Sequence, residues 1–335
     1  MHGQDRPGLR KPFEALQSGQ RHGTLGLDMD NRKILILGVT GSGKGRLAFE
    51  LAEAFGAEII SIDSMKVYRR MDIGTAKPPE EARRRIKYHL IDVVEPSESF
   101  SVGLFLDCAS SAVEQIKAAG KPVIAVGGTA LYIKALLYGL FEGPGRDEDL
   151  RSELDERARK QGLEQLYLEL QNVDPAAAQN IHPNDAKRII RALEVHTITG
   201  RPISSMQQQW QAEPSQGWSI IGLRREKTDD SKRINRRVKE MIDKGLVDEV
   251  RSLLAEERPL SKQARSAIGY AEIIAYLRGD TGLDDAIELI KKNSRRLAKS
   301  QRTWFRTFRN VNWFDVERDE PTEKILDRTK QLLDV

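Results

Sequence analysis

A continuous apolar run closed by glycines, "KILILGVTGSGKG" at residues 33–45, constrains this chain more than any other stretch. A short apolar run of this kind is the mark of a strand buried on both faces, as in a parallel sheet. The glycines at Gly38, Gly41, Gly43 and Gly45 let the backbone curl so that successive amides converge on an anion. "GRLAFELAEAFG" then takes up helical spacing and ends in a glycine. Strand, loop and helix in that order predict a phosphate-binding loop made of Gly38, Val39, Thr40, Gly41, Ser42, Gly43, Lys44 and Gly45. An ordinary strand-to-helix turn needs neither Lys44 nor so many glycines. The pattern Gly-x-x-x-x-Gly-Lys-[Ser/Thr] fails only at its last position, where Gly45 replaces the hydroxyl that helps hold magnesium.

The alternation repeats downstream. "AEIISID" and "YHLIDVV" read as strands, "FSVGLFLDCASSAVEQIKAAG" as a helix and "KPVIAVGG" as a buried strand, so the expected fold is α/β, a P-loop NTPase-like parallel sheet flanked by helices. Strand signals vanish over 147–211, where "DLRSELDERARKQG" and "NDAKRIIRALEVHTITG" predict a helical insertion. "WSIIGLRR" restores strand character, amphipathic helices follow from Ser231 to Arg309, and "VNWFDV" and "TEKILDRTKQLLD" predict a last strand and helix. The expected organisation is a mobile extension over 1–32, a first core part over 33–146, the insertion over 147–211 and a second core part over 212–335.

Composition limits the partners. With 39% hydrophobic residues in 335 there is material for a sizeable core. The net charge of +4 leaves partner choice to local basic clusters. Cys108 is the single cysteine, which excludes an internal disulfide framework and fits a reducing cytoplasm. No apolar run approaches a membrane span. His89, His182 and His196 lack metal-ligand spacing.

Asp63 falls at the carboxyl end of the second expected strand, the edge where open α/β sheets contact ligands, and Thr129 reaches the same edge in "VGGT". A carboxylate there can be a general base, a metal ligand or the cap of a local turn. Asp92, at the end of "YHLIDVV", is a candidate for a distant acidic metal ligand.

The order of "GVTGSGKG", "SIDSMKVYRRMDIGTAKP", "YHLIDVVEP", "VGGTALYIKALLYGL", "IHPNDAKRIIRALEV", "SAIGYAE" and "RRLAKSQRTWFR" resembles the tRNA dimethylallyltransferases, in the bacterial form, from about Lys33 to Asp315. The resemblance implies transfer of a dimethylallyl group from dimethylallyl pyrophosphate to the exocyclic N6 amine of an adenosine beside the tRNA anticodon. The loop would then hold a pyrophosphate leaving group, with Lys44 and the amides stabilising charge on the departing oxygen and Mg2+ assisting. Asp63 would be the general base, and Thr129 would orient the amine or a pyrophosphate oxygen. The same resemblance assigns tRNA contacts to Asp63, Ser64, Met65, Lys66, Thr129, Arg151, Lys187, Arg188, Ile189, Ile190, Arg191, Arg265, Gly269 and Tyr270. The enzyme is expected to be a cytoplasmic monomer.

Basic spacing fits the tRNA reading. Lys187, Arg188 and Arg191 share one turn, and Arg295, Lys299, Arg302, Arg306 and Arg309 form a stripe opposite Leu297, Trp304 and Phe308, with the two aromatics expected in the core. Some of the late basic residues would instead line the pyrophosphate site or form salt bridges. Three positions depart from the family pattern: Gly45 for Ser or Thr, Lys66 for Gln and Val39 for Pro. The first two bear on the metal site and on one contact to the target nucleotide. They keep open a catalytically impaired RNA-binding relative, and the loop itself keeps open a P-loop small-molecule kinase.

Overall fold

The structure is a computed structural model that describes residues 32–140, 143–206 and 217–333. The expected N-terminal extension, Arg32 excepted, and positions 207–211 of the expected insertion lie outside the described residues. The chain begins with β1 (Lys33–Gly38), α1 (Lys44–Phe55), β2 (Glu58–Ile62), α2 (Glu80–Arg85), β3 (Tyr88–His89), α3 (Val102–Ala118), β4 (Val123–Gly127) and α4 (Ala130–Tyr138). Helices α5 (Glu148–Gln161), α6 (Leu163–Val173), α7 (Pro175–Asn180), α8 (Ala186–Thr199) and α9 (Ile203–Met206) follow. After β5 (Trp218–Arg224) come α10 (Lys227–Asp243), α11 (Leu246–Leu254), α12 (Lys262–Arg265), α13 (Tyr270–Leu277) and α14 (Leu283–Phe305), then β6 (Val311–Asp315) and α15 (Thr322–Leu332).

All strands pair in parallel, in the order β3-β2-β4-β1-β5-β6. β1 shows why its sequence reads as an unbroken apolar run. Ile34 and Ile36 pack on one face with Leu47 and Leu51 of α1 and Ile325 of α15, while Leu35 and Leu37 pack on the other with Phe105, Ile133, Val250 and Ile290. Both faces are therefore core, and every strand carboxyl end opens on one edge. At that edge β1 delivers the glycine-rich loop, β2 delivers Asp63 and β4 delivers Gly128 and Thr129.

Helices α5 to α9 gather around a separate apolar cluster that includes Leu154, Leu166, Leu170, Ile189 and Leu193. Asp147, Asp174 and Asp185 cap α5, α7 and α8 through side-chain bonds to backbone N–H groups, which fixes where these helices begin.

"YHLIDVV" departs from expectation: only Tyr88 and His89 are strand. Leu90 and Asp92 take left-handed φ values of 61° and 57°, so the run turns out of the sheet. The cause is local, because Asp92 is held between Lys77 Nζ at 2.6 Å and Arg83 at 2.8 Å. The expected late basic stripe is also shortened, since α14 ends at Phe305, before Arg306 and Arg309.

Candidate active site

The loop between β1 and α1 owes its shape to two left-handed glycines, Gly41 at φ 84° and Gly43 at φ 97°. Its carbonyls are tied from outside: Arg225 Nε donates to Ser42 O at 3.0 Å and Arg233 Nε to Gly41 O at 2.7 Å. Among the described residues, the N–H groups of Gly43, Lys44 and Gly45 donate to no protein acceptor. With the positive end of α1 they form a ready anion cradle. Lys44 Nζ meanwhile rests on Val39 O at 3.1 Å.

A cavity of about 1050 Å³ opens in front of this loop, lined by Thr40, Gly41, Gly43, Lys44 and Gly45 and also by Asp63, Lys66, Thr129 and Arg237. Gly38, Val39 and Ser42, expected with the loop, lie behind it. Ser42 donates its N–H to Val39 O at 3.2 Å, and its buried hydroxyl sits against Gly38 without a hydrogen-bond partner.

Asp63 fills one of the roles left open by its position and keeps an oxygen in reserve. Its Oδ1 accepts from Met65 N at 2.9 Å and Lys66 N at 3.2 Å, the cap of a local turn. Its Oδ2 has no protein partner among the described residues, and the side chain lines the cavity. Thr129 is locked to the same turn, accepting from Ser64 N through Oγ1 at 3.1 Å. Carboxylate and hydroxyl are thus fixed beside each other.

Positive charge dominates the cavity. Burial pushes the Lys44 ammonium down to about 7, with Lys66 and Arg237 acting in the same direction and Asp63 and Asp230 opposing. Lys66 is lowered chiefly by burial, against the pull of Asp63, and so is Arg237. Such a cluster is electrostatically incomplete until an anion enters.

Three residues that build the site escaped the sequence reading. Gln301 of α14 accepts from Thr40 N at 2.8 Å and donates to Gly128 O at 2.8 Å, joining the phosphate loop to the Thr129 loop. Gly128 is glycine because a Cβ there would strike the Gln301 amide. Glu249 of α11 accepts from the N–H groups of Asp72, Ile73 and Gly74 at 2.9, 2.7 and 3.2 Å and from Tyr270 Oη at 2.6 Å. That carboxylate shapes "DIGTAKP", whose Gly74 to Pro78 line the cavity. Asp230 of α10 is fully buried and pairs with Arg302 at 2.5 Å. Each lies on the core-facing side of its helix: Glu249 with Leu246, Val250 and Leu253, Gln301 with Ala298 and Phe305, and Asp230 with Ile234 and Val238. A polar residue in an apolar stripe was the available signal.

Several expected tRNA-facing residues are otherwise engaged. Ile189 and Ile190 are buried in the core of α5 to α9, so their side chains are closed to a ligand. Arg151 forms a two-pronged pair with the fully buried Glu194 at 2.8 and 2.8 Å, and Arg191 joins it at 2.5 Å. Burial pushes Glu194 up, but hydrogen bonds from Arg151, Arg191 and the Asp147 N–H outweigh it and leave the carboxyl lowered. Tyr270 is buried against Gly74, and Gly269 donates its N–H to Glu272 at 2.7 Å. Lys187, Arg188 and Arg265 are exposed, although Arg188 also pairs with Asp185 at 3.2 Å. Ser64, Met65 and Lys66 line the cavity. In the late basic helix Arg302 serves Asp230 and Arg295 donates to Asn235 at 2.6 Å, so the stripe is partly internal. Phe308 is core as expected, whereas Trp304 is only partly buried and lines the cavity with Leu297.

The residues present do not fit a magnesium ion caged by protein. Among the described residues no three His, Cys, Asp or Glu side chains converge as ligands. Asp92 is consumed by Lys77 and Arg83. A Cβ built on Gly45 meets no atom within 4 Å, so among the described residues nothing fills the place of the hydroxyl.

Comparison with known proteins matches residues 66–308 to the family model described as IPP transferase. The tRNA dimethylallyltransferase of Geobacter metallireducens is 47% identical over 285 residues, covering 85% of this chain and 92% of the relative. That of Acetivibrio thermocellus is 44% identical, covering 91% and 98%. Among solved structures, the full-length tRNA isopentenylpyrophosphate transferase of Bacillus halodurans is 40% identical with a TM-score of 0.67, covering 91% of this chain and 96% of its own. A eukaryotic dimethylallyltransferase acting on tRNA is 25% identical with a TM-score of 0.76, covering 91% and 80%. Among the described residues no helix is long and apolar enough to cross a membrane.

Proposed function

Because the chain belongs to the IPP transferase family and is a tRNA dimethylallyltransferase, we propose that its cavity joins dimethylallyl pyrophosphate to the N6 amine of an adenosine beside the tRNA anticodon. The carrying observation is the meeting of an empty-handed anion cradle and a half-satisfied carboxylate in one cavity. Pyrophosphate occupies the cradle of Gly43, Lys44 and Gly45, with Thr40 and Gly41 shaping it. As the allylic carbon–oxygen bond breaks, the electron pair leaves with the bridging oxygen, where the amides and Lys44 stabilise it.

The adenine amine attacks the freed carbon. Asp63 takes its proton through the oxygen that carries no turn hydrogen bond, and the Thr129 hydroxyl orients the amine. Leu131 and Leu297, large apolar side chains about 40% exposed, line the cavity beside Trp304 and suit a dimethylallyl chain. Magnesium bound with the donor would add positive charge to the leaving group, and no step here depends on it. Lys187, Arg188 and Arg265 offer exposed charge to tRNA phosphates, and the target base leaves its stack to reach the cavity. The setting proposed is the cytoplasm, with the enzyme acting as a monomer.

Relatives favour neither a small-molecule kinase nor a noncatalytic RNA binder. The test is to incubate the protein with tRNA, dimethylallyl pyrophosphate and magnesium and to measure prenyl-adenosine by mass spectrometry, with Asp63→Asn alongside. The variant should bind both substrates and lose roughly 10²–10⁴-fold in turnover. An Asp63→Asn enzyme of undiminished turnover removes Asp63 from the role of base. No product from the unaltered chain removes the assignment itself.

A further inference from the structure

Two positions that depart from the resembled pattern line the same cavity: Gly45, which brings no hydroxyl where a phosphate loop has one, and Lys66. Lys66 is placed by its backbone, whose N–H donates to Asp63 Oδ1 at 3.2 Å on the turn after β2. Its ammonium has no hydrogen-bond or ion-pair partner among the described residues. Keeping a half-buried charge without an acceptor is costly. Lys77, the next lysine along the segment, shows what a satisfied ammonium looks like there: it reaches Tyr68 O at 2.6 Å, Asp72 at 2.5 Å and Asp92 at 2.6 Å.

Lys66 lines the same cavity as Lys44 and Gly45 of the phosphate loop and as Arg237. After burial, Lys66 is the strongest influence lowering Lys44, the lysine of the phosphate loop, so the two ammonium groups share one poorly hydrated space. Arg237 faces it as well. Among the described residues the Lys44 ammonium hydrogen-bonds only to Val39 O. Asp63 offsets part of this charge, and the pyrophosphate of the donor is the anion that meets the rest. A phosphate of the tRNA backbone has no need to enter so far.

We propose that the Lys66 ammonium binds the pyrophosphate of the donor and supplies the positive charge that a metal anchored at position 45 would otherwise bring. The two departures then form one exchange, a metal-holding hydroxyl given up and a fixed ammonium gained. Charge on the leaving group is met by a side chain already in position. This rests on the prenyl-transfer reading above.

The test is calorimetric binding of dimethylallyl pyrophosphate without tRNA, in chelator and in magnesium. It compares the unaltered chain with Lys66→Gln, Lys66→Arg, Gly45→Ser and the Lys66→Gln/Gly45→Ser double variant, each checked for its melting temperature. The unaltered chain should bind in chelator. Lys66→Gln should weaken that binding roughly 10- to 100-fold, the worth of a charged hydrogen bond, while Lys66→Arg keeps most of it. In magnesium the double variant should recover affinity that Lys66→Gln alone does not. The space around Gly45 is open, so the serine enters without displacing a neighbour. The proposal is overturned if Lys66→Gln binds the donor in chelator as the unaltered chain does, and equally if its loss appears only in tRNA affinity. Either result leaves prenyl transfer standing, because that reading is decided separately by product formation from the unaltered chain.

Discussion

Donor binding should draw protons out of solution. In the ligand-free cavity the Lys44 ammonium is pushed down to about 7, first by burial and then by Lys66 and Arg237. Pyrophosphate oxygens replace the hydration that burial removed and return the group toward the usual lysine value of about 10.4. At pH 8 a group titrating at about 7 carries roughly one-tenth of a proton before binding and nearly a whole one afterwards, an uptake of about 0.9. At pH 6 it is already charged, and uptake falls to about 0.1. Affinity should therefore decline above about pH 7 by up to about 1.4 kcal/mol per pH unit. The sign for folding is opposite. Between about 7 and 10.4 the unfolded chain binds more protons at this lysine, so its contribution to the stability of the ligand-free protein rises with pH. The assay is titration calorimetry with dimethylallyl pyrophosphate at pH 6 and 8 in two buffers of different ionisation enthalpy. Its terminal phosphate ionises near about pH 6, which leaves it no proton to release at pH 8. A heat of binding independent of buffer at pH 8 would refute the reasoning. Lys44→Arg, charged at both pH values, should lose most of the uptake.

Other consequences concern the parts that hold the site in shape. Glu249→Ala strips the acceptor from three backbone N–H groups and the Tyr270 hydroxyl. It should cost about 1–3 kcal/mol for each donor left dry, read as a lower denaturant midpoint, with "DIGTAKP" newly open to proteolysis; an unchanged midpoint would reject the anchoring role. Arg151→Ala leaves the fully buried Glu194 with fewer partners and should cost about 3–5 kcal/mol, measured by denaturant unfolding. Since the Glu194 carboxyl is lowered, its contribution should be complete above the unfolded value of about 4.3 and fade as pH falls below it. The Arg151 variant should consequently approach the unaltered chain in stability at low pH.

The strand that ends in the phosphate loop was legible because burial on both faces leaves no room for polar residues from Ile34 to Leu37, and the loop's own glycines announce its curvature. Asp63 and Thr129 were legible from strand ends alone, since a parallel sheet sends all carboxyl ends to one edge. Residues that act through α10, α11 and α14 were not. Gln301 meets Thr40 across 261 positions of sequence, and no local pattern encodes that meeting. Glu249 and Asp230 hide among apolar neighbours, where periodicity reports a core face and passes over the one polar member. The basic residues failed in the reverse direction. Arg151, Arg191 and Arg302 look alike as charge on a helix, yet buried Glu194 and Asp230 claim them. Spacing records which face a side chain takes and is silent about its partner. "YHLIDVV" was misjudged for the same reason, as Asp92 answers to Lys77 and Arg83 and turns the backbone away from the sheet.

The Gln301 bridge also sets a clock on the birth of the enzyme. At roughly 5–20 residues per second of synthesis, the 261 positions between Thr40 and Gln301 take ~13–50 s to emerge. For the first part of that interval β1 waits for its neighbour β5, and through all of it the Thr40 amide waits for its acceptor. A nascent chain that has not yet made α14 holds the loop lysine and the Asp63 carboxylate without the side-chain amide that sets their two loops side by side.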